Sequence, residues 1–201
     1  MSVFCLLWVP FFYLLRRSFT GGKGAGSVWA LILGSLTAIL QFFLGYLVSP
    51  GGFGVSRWVF GFIDIVSLPV IIPLVVCFLM LFFRGFSGEA DFANFALLWL
   101  FPVGGLRAIG WNSSGDSILL IAVPLLWTAL AVGIPFFINL MLSNFRWYTA
   151  AVSILGILAL PIIAATSYWA FFSQYTFLGF LFFFIAHIPL GLSLTFDILR
   201  G

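Results

Sequence analysis

Long apolar runs separated by short polar segments make up nearly the whole chain. Six such runs occupy residues 27–49, 58–83, 92–109, 117–142, 148–172 and 176–199. A helix needs about 20 consecutive apolar residues to cross the hydrocarbon core of a bilayer. The segments between the runs are rich in Gly, Ser, Asn, Pro and charged residues, which favour turns. The pattern therefore predicts six transmembrane helices joined by short loops.

A shorter apolar stretch at residues 3–15 precedes the six runs. It covers about half of a membrane span and contains Pro10. Its basic residues, Arg16 and Arg17, follow the apolar stretch, whereas a cleaved signal peptide has its basic residues first. The stretch predicts either a short seventh span or, as we favour, an aromatic-rich segment lying in the membrane interface. Residues 1–26 would then form this segment and a basic cytoplasmic loop at the start of a single transmembrane domain.

The composition excludes a soluble protein. Hydrophobic residues make up 64% of the 201 residues and charged residues only 6%, whereas soluble domains average about 25% charged residues. Two widely separated cysteines do not make a disulfide scaffold, and the apolar content is too high for a disordered chain. The apolar runs are continuous and not alternating, so helices are expected in place of a β-barrel. The predicted fold class is an all-α, polytopic integral membrane helical bundle.

The basic residues predict how the helices are oriented in the membrane. Arg16, Arg17 and Lys23 lie in one loop, and loops rich in Lys and Arg stay on the cytoplasmic side. Six spans then place six of the eight basic residues inside and two, Arg57 and Arg107, outside. We therefore predict a multi-pass protein with a cytoplasmic C-terminus, in the inner membrane if the source is bacterial. The three basic residues of the first loop are expected to contact anionic lipid headgroups.

Asp64 is the one charged residue that lies clearly inside a predicted span. It is about 9 Å from the outer end of its helix at 1.5 Å per residue. Ionisable residues inside a membrane are rare and often functional. The nearest basic residues by topology are Arg57 on the same helix and Arg107 at the outer end of the next. We favour a structural ion pair with one of these arginines, and a role in proton or cation coupling is the alternative.

The remaining polar candidates inside the spans are Gln41 and His187, which is the only histidine. The simplest interpretation of His187 is a hydrogen bond to a backbone carbonyl. In a transporter, Gln41, His187 and Asp64 would instead line a midplane site. One histidine does not complete a zinc site, which takes three or four ligands. The chain contains no Walker, dinucleotide-binding or H-E-x-x-H motif. We therefore expect a non-enzymatic protein with no catalytic residues, no metal, no cofactor and no nucleic-acid partner.

Small residues inside the spans predict close contacts between helices, because glycine lets two backbones approach each other. Prolines inside the spans predict kinks, because each one removes a backbone donor. The glycines concerned are Gly34, Gly45, Gly133, Gly156, Gly179 and Gly191.

The middle of the chain contains a series of recognisable motifs. They are a Leu-Pro-Val-Ile-Ile-Pro segment at 68–73, a Gly-rich turn at 84–92, a span with Pro102, and a Trp-bearing helix at 127–133. With these motifs, residues 5–172 resemble the YIP1-domain family of small polytopic membrane proteins. The helix after Tyr175 departs from the five-span pattern of the family. The resemblance implies a role in membrane organisation or trafficking, and it provides no catalytic residues.

Two functional hypotheses from different classes follow. In the first, the protein acts without catalysis, through association of its helices with the lipid bilayer, a membrane-protein partner or a second copy of itself. In the second, it is a small permease, or the substrate-binding membrane subunit of a transporter whose small-molecule substrate the sequence does not identify. The two hypotheses differ in the surroundings of Asp64. A transporter needs Asp64 to face a cavity with His187, Gln41 or Thr128, whereas the first hypothesis leaves it paired with an arginine.

Overall fold

The computed structural model describes residues 7, 8, 10, 11, 13, 14, 27–47, 57–72, 74, 75, 79, 89–110, 117–143 and 146–200. Every secondary-structure element in this part of the chain is helical. The elements are α1 Ser27–Leu47, α2 Arg57–Gly61, a π-helix at Phe62–Ile71 that continues α2, α3 Glu89–Gly110, α4 Ser117–Ser143, α5 Trp147–Phe172 and α6 Thr176–Arg200.

Three helices of the described part are long and apolar enough to cross a membrane. They are Ile121–Leu142 in α4, the whole of α5, and Thr176–Thr195 in α6. Shorter apolar helical segments, Ala30–Leu40 and Ala93–Val103, lie in α1 and α3. The prediction of an all-α protein that is integral to a membrane is therefore confirmed. The number of six spans and the position of the C-terminus stay predictions.

Helix α4 is the centre of the bundle. It packs against α5 and α6, which also pack against each other, and on another side against α3. Helix α1 packs mainly against α3. The π-helix contacts α1, α3, α4 and α5, and so connects these two groups of helices. Accordingly, 72% of the α4 span is buried within the protein, compared with 28% of the α5 and α6 spans.

The two faces of α5 differ in side-chain size. Its buried face consists largely of small residues, and its exposed face of large apolar ones. A water-soluble protein would not expose such a face, but a lipid-facing helix does, and small residues at the inner face let helices pack closely. The small buried residues are Ser153, Ala164, Ala165, Ser167 and Ala170. The large exposed ones include Val152, Leu155, Leu158 and Ile162.

Glycine contacts lie between three pairs of helices, α1 with α3, and α4 with both α5 and α6. A methyl group on Gly34 of α1 would lie 2.5 Å from the carbonyl oxygen of Trp99 in α3. A methyl group on Gly133 of α4 would lie 2.8 Å from Cδ2 of Leu160 and 3.2 Å from Cβ of Pro189. At Gly34 the neighbour is a backbone atom that cannot move aside, so the close packing of α1 on α3 requires glycine. At Gly133 the neighbours are side-chain atoms, and the Leu160 side chain would have to move for a larger residue to fit.

The other predicted glycine contacts have mixed outcomes. Gly156 packs against the ring of Phe137, and Gly179 against the ring of Phe171, so the prediction is confirmed there too. It is wrong for Gly191, where a methyl group would meet no atom within 4 Å because this part of α6 faces outward. The side-chain environment of Gly45 lies outside the described residues.

The helix that begins at Arg57 changes its hydrogen-bonding pattern near Pro69. Residues 62–71 form a π-helix, in which each N–H bonds to the carbonyl five residues earlier. The N–H of Ile72 continues this pattern by donating to the carbonyl of Ser67. Proline has no N–H to donate and commonly disturbs an α-helix. The sequence predicted a kink at Pro69, and in the structure the wider turn of the π-helix accommodates this proline.

The described residues between 7 and 14 are helical. Trp8 and Tyr13 are half-buried and pack against the core, whereas Leu7, Phe11 and Leu14 are exposed. This one-sided packing suits a segment that lies against the bundle. Whether it crosses the bilayer or lies in the interface stays a prediction.

Candidate intramembrane polar site

A hydrogen bond from Trp127 joins α4 to the π-helix in the buried core. The indole Nε1 donates to the carbonyl oxygen of Ile65 at 2.8 Å, and Trp127 is 1% exposed. Ile65 belongs to the π-helix, in which its carbonyl accepts from the N–H five residues later, at Val70. The indole is therefore an additional donor to this carbonyl, and the bond connects α4 to the π-helix.

A second polar contact lies within one turn of Trp127. The hydroxyl of Thr128 donates to the carbonyl oxygen of Leu125 at 2.7 Å, and Thr128 is fully buried. This is a bond within α4, and it satisfies a hydroxyl group that would otherwise be costly to bury in an apolar environment. The Leu125 carbonyl also lies next to the imidazole ring of His187 on α6.

The imidazole of His187 has different surroundings at its two nitrogens. Nδ1 lies 2.7 Å from the carbonyl oxygen of Phe183, one turn earlier in α6. The ring also packs against the Phe183 ring, with 4.2 Å between the centroids. Nε2 is buried and has no hydrogen-bond partner. The predicted bond to a backbone carbonyl is therefore present, but it accounts for only one of the two nitrogens.

These contacts bring three parts of the chain to one region of α4. The π-helix is bonded to Trp127, and His187 lies beside Leu125, two residues away along α4. Asp64 is the neighbour of Ile65 in the chain, so its backbone lies next to the bond from Trp127. The structure thus places the backbone of Asp64 and the side chains of Thr128 and His187 near α4, and the midplane site stays a prediction.

The polar region is almost free of formal charge. The sequences of the α4, α5 and α6 spans contain no Asp, Glu, Lys or Arg. Among the described residues, no group of three or more His, Cys, Asp or Glu side chains is arranged to hold a metal ion. The described groups at the site are neutral: an indole, a hydroxyl, an imidazole and backbone carbonyls. Such groups orient polar molecules by hydrogen bonding.

Several predicted site residues lie outside the described part of the structure. The side chains of Asp64, Arg57 and Arg107 belong to this set, so their predicted ion pair stays a prediction. The same holds for the side chain of Gln41 as a midplane group, and for the lipid contacts of Arg16, Arg17 and Lys23.

Three further polar side chains, which the sequence reasoning did not single out, are buried in the core. Asn94 Oδ1 and Trp99 Nε1 in α3, and Ser153 Oγ in α5, have no hydrogen-bond partner. The reasoning also missed the role of Trp127. A tryptophan in an apolar run is ordinary in sequence, and no residue type marks the Ile65 carbonyl as its partner.

Compared with known proteins, the chain matches no protein-family model, no curated protein and no solved structure.

Proposed function

We propose that this protein acts without catalysis, through association of its membrane helices with protein or lipid partners. The observation that carries the proposal is the outward face of α5 and α6. Leu155 and Leu158 on α5 are 66% and 62% exposed, and Phe177, Phe184 and Ile188 on α6 are similarly exposed. We call these five residues the outer apolar face. Large apolar side chains of this kind pack against lipid or against the helices of another membrane protein.

Aromatic residues near the ends of α5 support its placement across a bilayer. Arg146 precedes the helix and donates to the Tyr148 hydroxyl at 2.8 Å. Near the other end, the rings of Trp169 and Tyr175 lie 5.8 Å apart. Trp and Tyr favour the two membrane interfaces. From Tyr148 to Trp169 the helix rises about 32 Å at 1.5 Å per residue, which is close to the hydrocarbon thickness of about 30 Å.

The proposal includes six spans with the C-terminus in the cytoplasm. The positions of the basic residues support this orientation, since six of the eight lie on the inner side in that arrangement. Arg146 at the start of α5 is then cytoplasmic, and the turn between α5 and α6 is external. The resemblance to the YIP1-domain family supports a role in membrane organisation or trafficking.

Site-specific photo-crosslinking tests the association. A photoreactive amino acid replaces Leu158 in the outer apolar face, and a matched variant carries it at Leu160, which is 3% exposed on the inner face of the same helix. In native membranes, position 158 should give a discrete adduct with one protein or with one enriched lipid class. Position 160 should give crosslinks only within the chain. Adducts at 158 that merely follow the bulk lipid composition would refute the association.

A transport function is the second candidate, and the gathering of polar groups around α4 favours it. The neutralising variant Asp64→Asn in proteoliposomes separates the two functions, with proton flux as the measured quantity. A transporter that uses the carboxylate should lose its flux while keeping its fold. If the wild-type protein carries flux and the variant retains all of it while losing stability, Asp64 serves the structure and the transport hypothesis is wrong.

A further inference from the structure

The Nε2 atom of His187 is a hydrogen-bond acceptor that no residue in the described part of the structure satisfies. Nδ1 lies 2.7 Å from the Phe183 carbonyl. Because a carbonyl oxygen only accepts, Nδ1 must carry the proton in this contact. A neutral imidazole then presents a lone pair at Nε2, and this atom is buried without a partner. Buried polar atoms normally have a partner, so this one points to a ligand from outside the chain.

We propose that His187 Nε2 binds a hydroxyl group between α4 and α6. The hydroxyl donates its hydrogen to Nε2, and it belongs to a water molecule or to an amphiphile in the membrane.

The neighbouring groups explain why the ligand must be a donor. The Leu125 carbonyl lies beside the ring, but a carbonyl only accepts and cannot satisfy a lone pair at Nε2. A water molecule or an alcohol can donate a hydrogen to Nε2. The Thr128 hydroxyl already donates to the Leu125 carbonyl at 2.7 Å, so it is not available to Nε2.

The depth of the site favours a neutral ligand. His187 lies 11 residues after Thr176 and 8 before Thr195 in the α6 span, which places it about 16 and 12 Å from the two ends at 1.5 Å per residue. The two helices that form the site, α4 and α6, contain no carboxylate within their spans, and an unpaired charge at this depth is expensive. The Phe183 ring against the imidazole adds an apolar wall.

The binding geometry is fixed before the ligand arrives. The contact between Nδ1 and the Phe183 carbonyl holds both the tautomer and the ring orientation, and the Phe183 ring packed against the imidazole restricts its rotation. The site does not depend on the association proposed above, because Nε2 is buried and the outer apolar face is exposed.

Nitrogen NMR of the wild-type protein tests the proposal directly. Since His187 is the only histidine, labelling with ¹⁵N-histidine gives one pair of ring signals that need no assignment by mutation. The ¹⁵N shift distinguishes a nitrogen with a free lone pair, one that accepts a hydrogen bond, and one that carries a proton. In nanodiscs of native lipid, Nδ1 should be protonated and Nε2 should show an accepted hydrogen bond.

A second sample identifies the source of the hydroxyl. The protein is stripped of lipid and placed in a detergent that has no hydroxyl groups. If the accepted hydrogen bond persists and magnetisation passes from water to the site, the ligand is water; if it disappears, the ligand is an amphiphile. Either outcome supports a hydroxyl site. A free lone pair at Nε2 in native lipid, or a proton on Nε2, would overturn the proposal.

Discussion

Replacing Trp127 by phenylalanine should destabilise the bundle more than the same replacement at Trp99. Both tryptophans are almost fully buried, at 1% and 2% exposure, so the loss of ring volume is similar. They differ in hydrogen bonding. Trp127 Nε1 donates to the Ile65 carbonyl at 2.8 Å, whereas Trp99 Nε1 has no partner. The pair of variants therefore isolates one hydrogen bond between helices.

The expected difference follows from the groups that each variant leaves behind. Trp127→Phe removes a bond between helices, which is worth about 0.6 kcal/mol on average in a membrane protein and up to about 1.7 kcal/mol. It also leaves the Ile65 carbonyl next to Pro69 without this donor. Trp99→Phe breaks no bond and removes a buried donor whose burial costs about 1–3 kcal/mol. We therefore expect Trp127→Phe to lower the free energy of unfolding by about 1–3 kcal/mol more than Trp99→Phe.

Reversible unfolding in mixed micelles with increasing denaturing detergent, followed by circular dichroism, measures both variants against the wild type. The volume cost cancels in the difference between them. Equal losses of stability would show that the bond from Trp127 to Ile65 contributes nothing. A larger loss for Trp99→Phe would show that volume alone decides and that the two sites differ in their capacity to repack.

Three further predictions concern helix contacts and topology. Gly34→Ala should lower the free energy of unfolding by about 1–3 kcal/mol, because its methyl group meets a backbone oxygen at 2.5 Å. Gly191→Ala lies in open space and should leave the free energy of unfolding unchanged or raise it by up to about 1 kcal/mol. Unfolding titrations of the two variants test this, and equal effects would contradict it. Ser167→Ala should lower the free energy of unfolding by about 0.6–1.7 kcal/mol in the same assay, since the Ser167 hydroxyl donates to the α6 backbone at 2.9 Å. An unchanged unfolding midpoint would show that this hydrogen bond does not stabilise the bundle. A cysteine introduced in the loop at 112–116 should react with a membrane-impermeant thiol reagent from outside, and protection there would refute the six-span orientation.

The sequence predicts the helices well because the apolar runs determine them directly. The runs at 117–142, 148–172 and 176–199 correspond closely to α4, α5 and α6. The runs do not determine which face of a helix is buried. Gly191 illustrates this limit: glycine was expected at a contact, but it lies on an outward part of α6 where nothing approaches it. Only the packing of α6 on α4 and α5 decides which side faces outward.

The candidate site was predictable only in part, for a related reason. His187 was a candidate because it is a single ionisable residue in an apolar span, and the structure adds a carbonyl partner at one nitrogen and none at the other. The Leu125 and Ile65 carbonyls could not be identified from residue types, because every residue has a carbonyl. Their importance depends on which side chains another helix brings within reach, and that is a property of the tertiary structure.

Different helices contribute to the stability of the bundle and to its proposed association with partners. Helix α4 carries the buried polar contacts, through Trp127 to the π-helix and through Leu125 towards His187, and most of its surface is inside the bundle. Helices α5 and α6 have most of their surface outside, and their outer apolar face takes no part in those contacts. A substitution at Leu158 should therefore alter association while leaving the unfolding free energy nearly unchanged, because its side chain contributes little to the core. A substitution at Trp127 should do the reverse, since the hydrogen bond it removes lies on the opposite, buried side of the bundle.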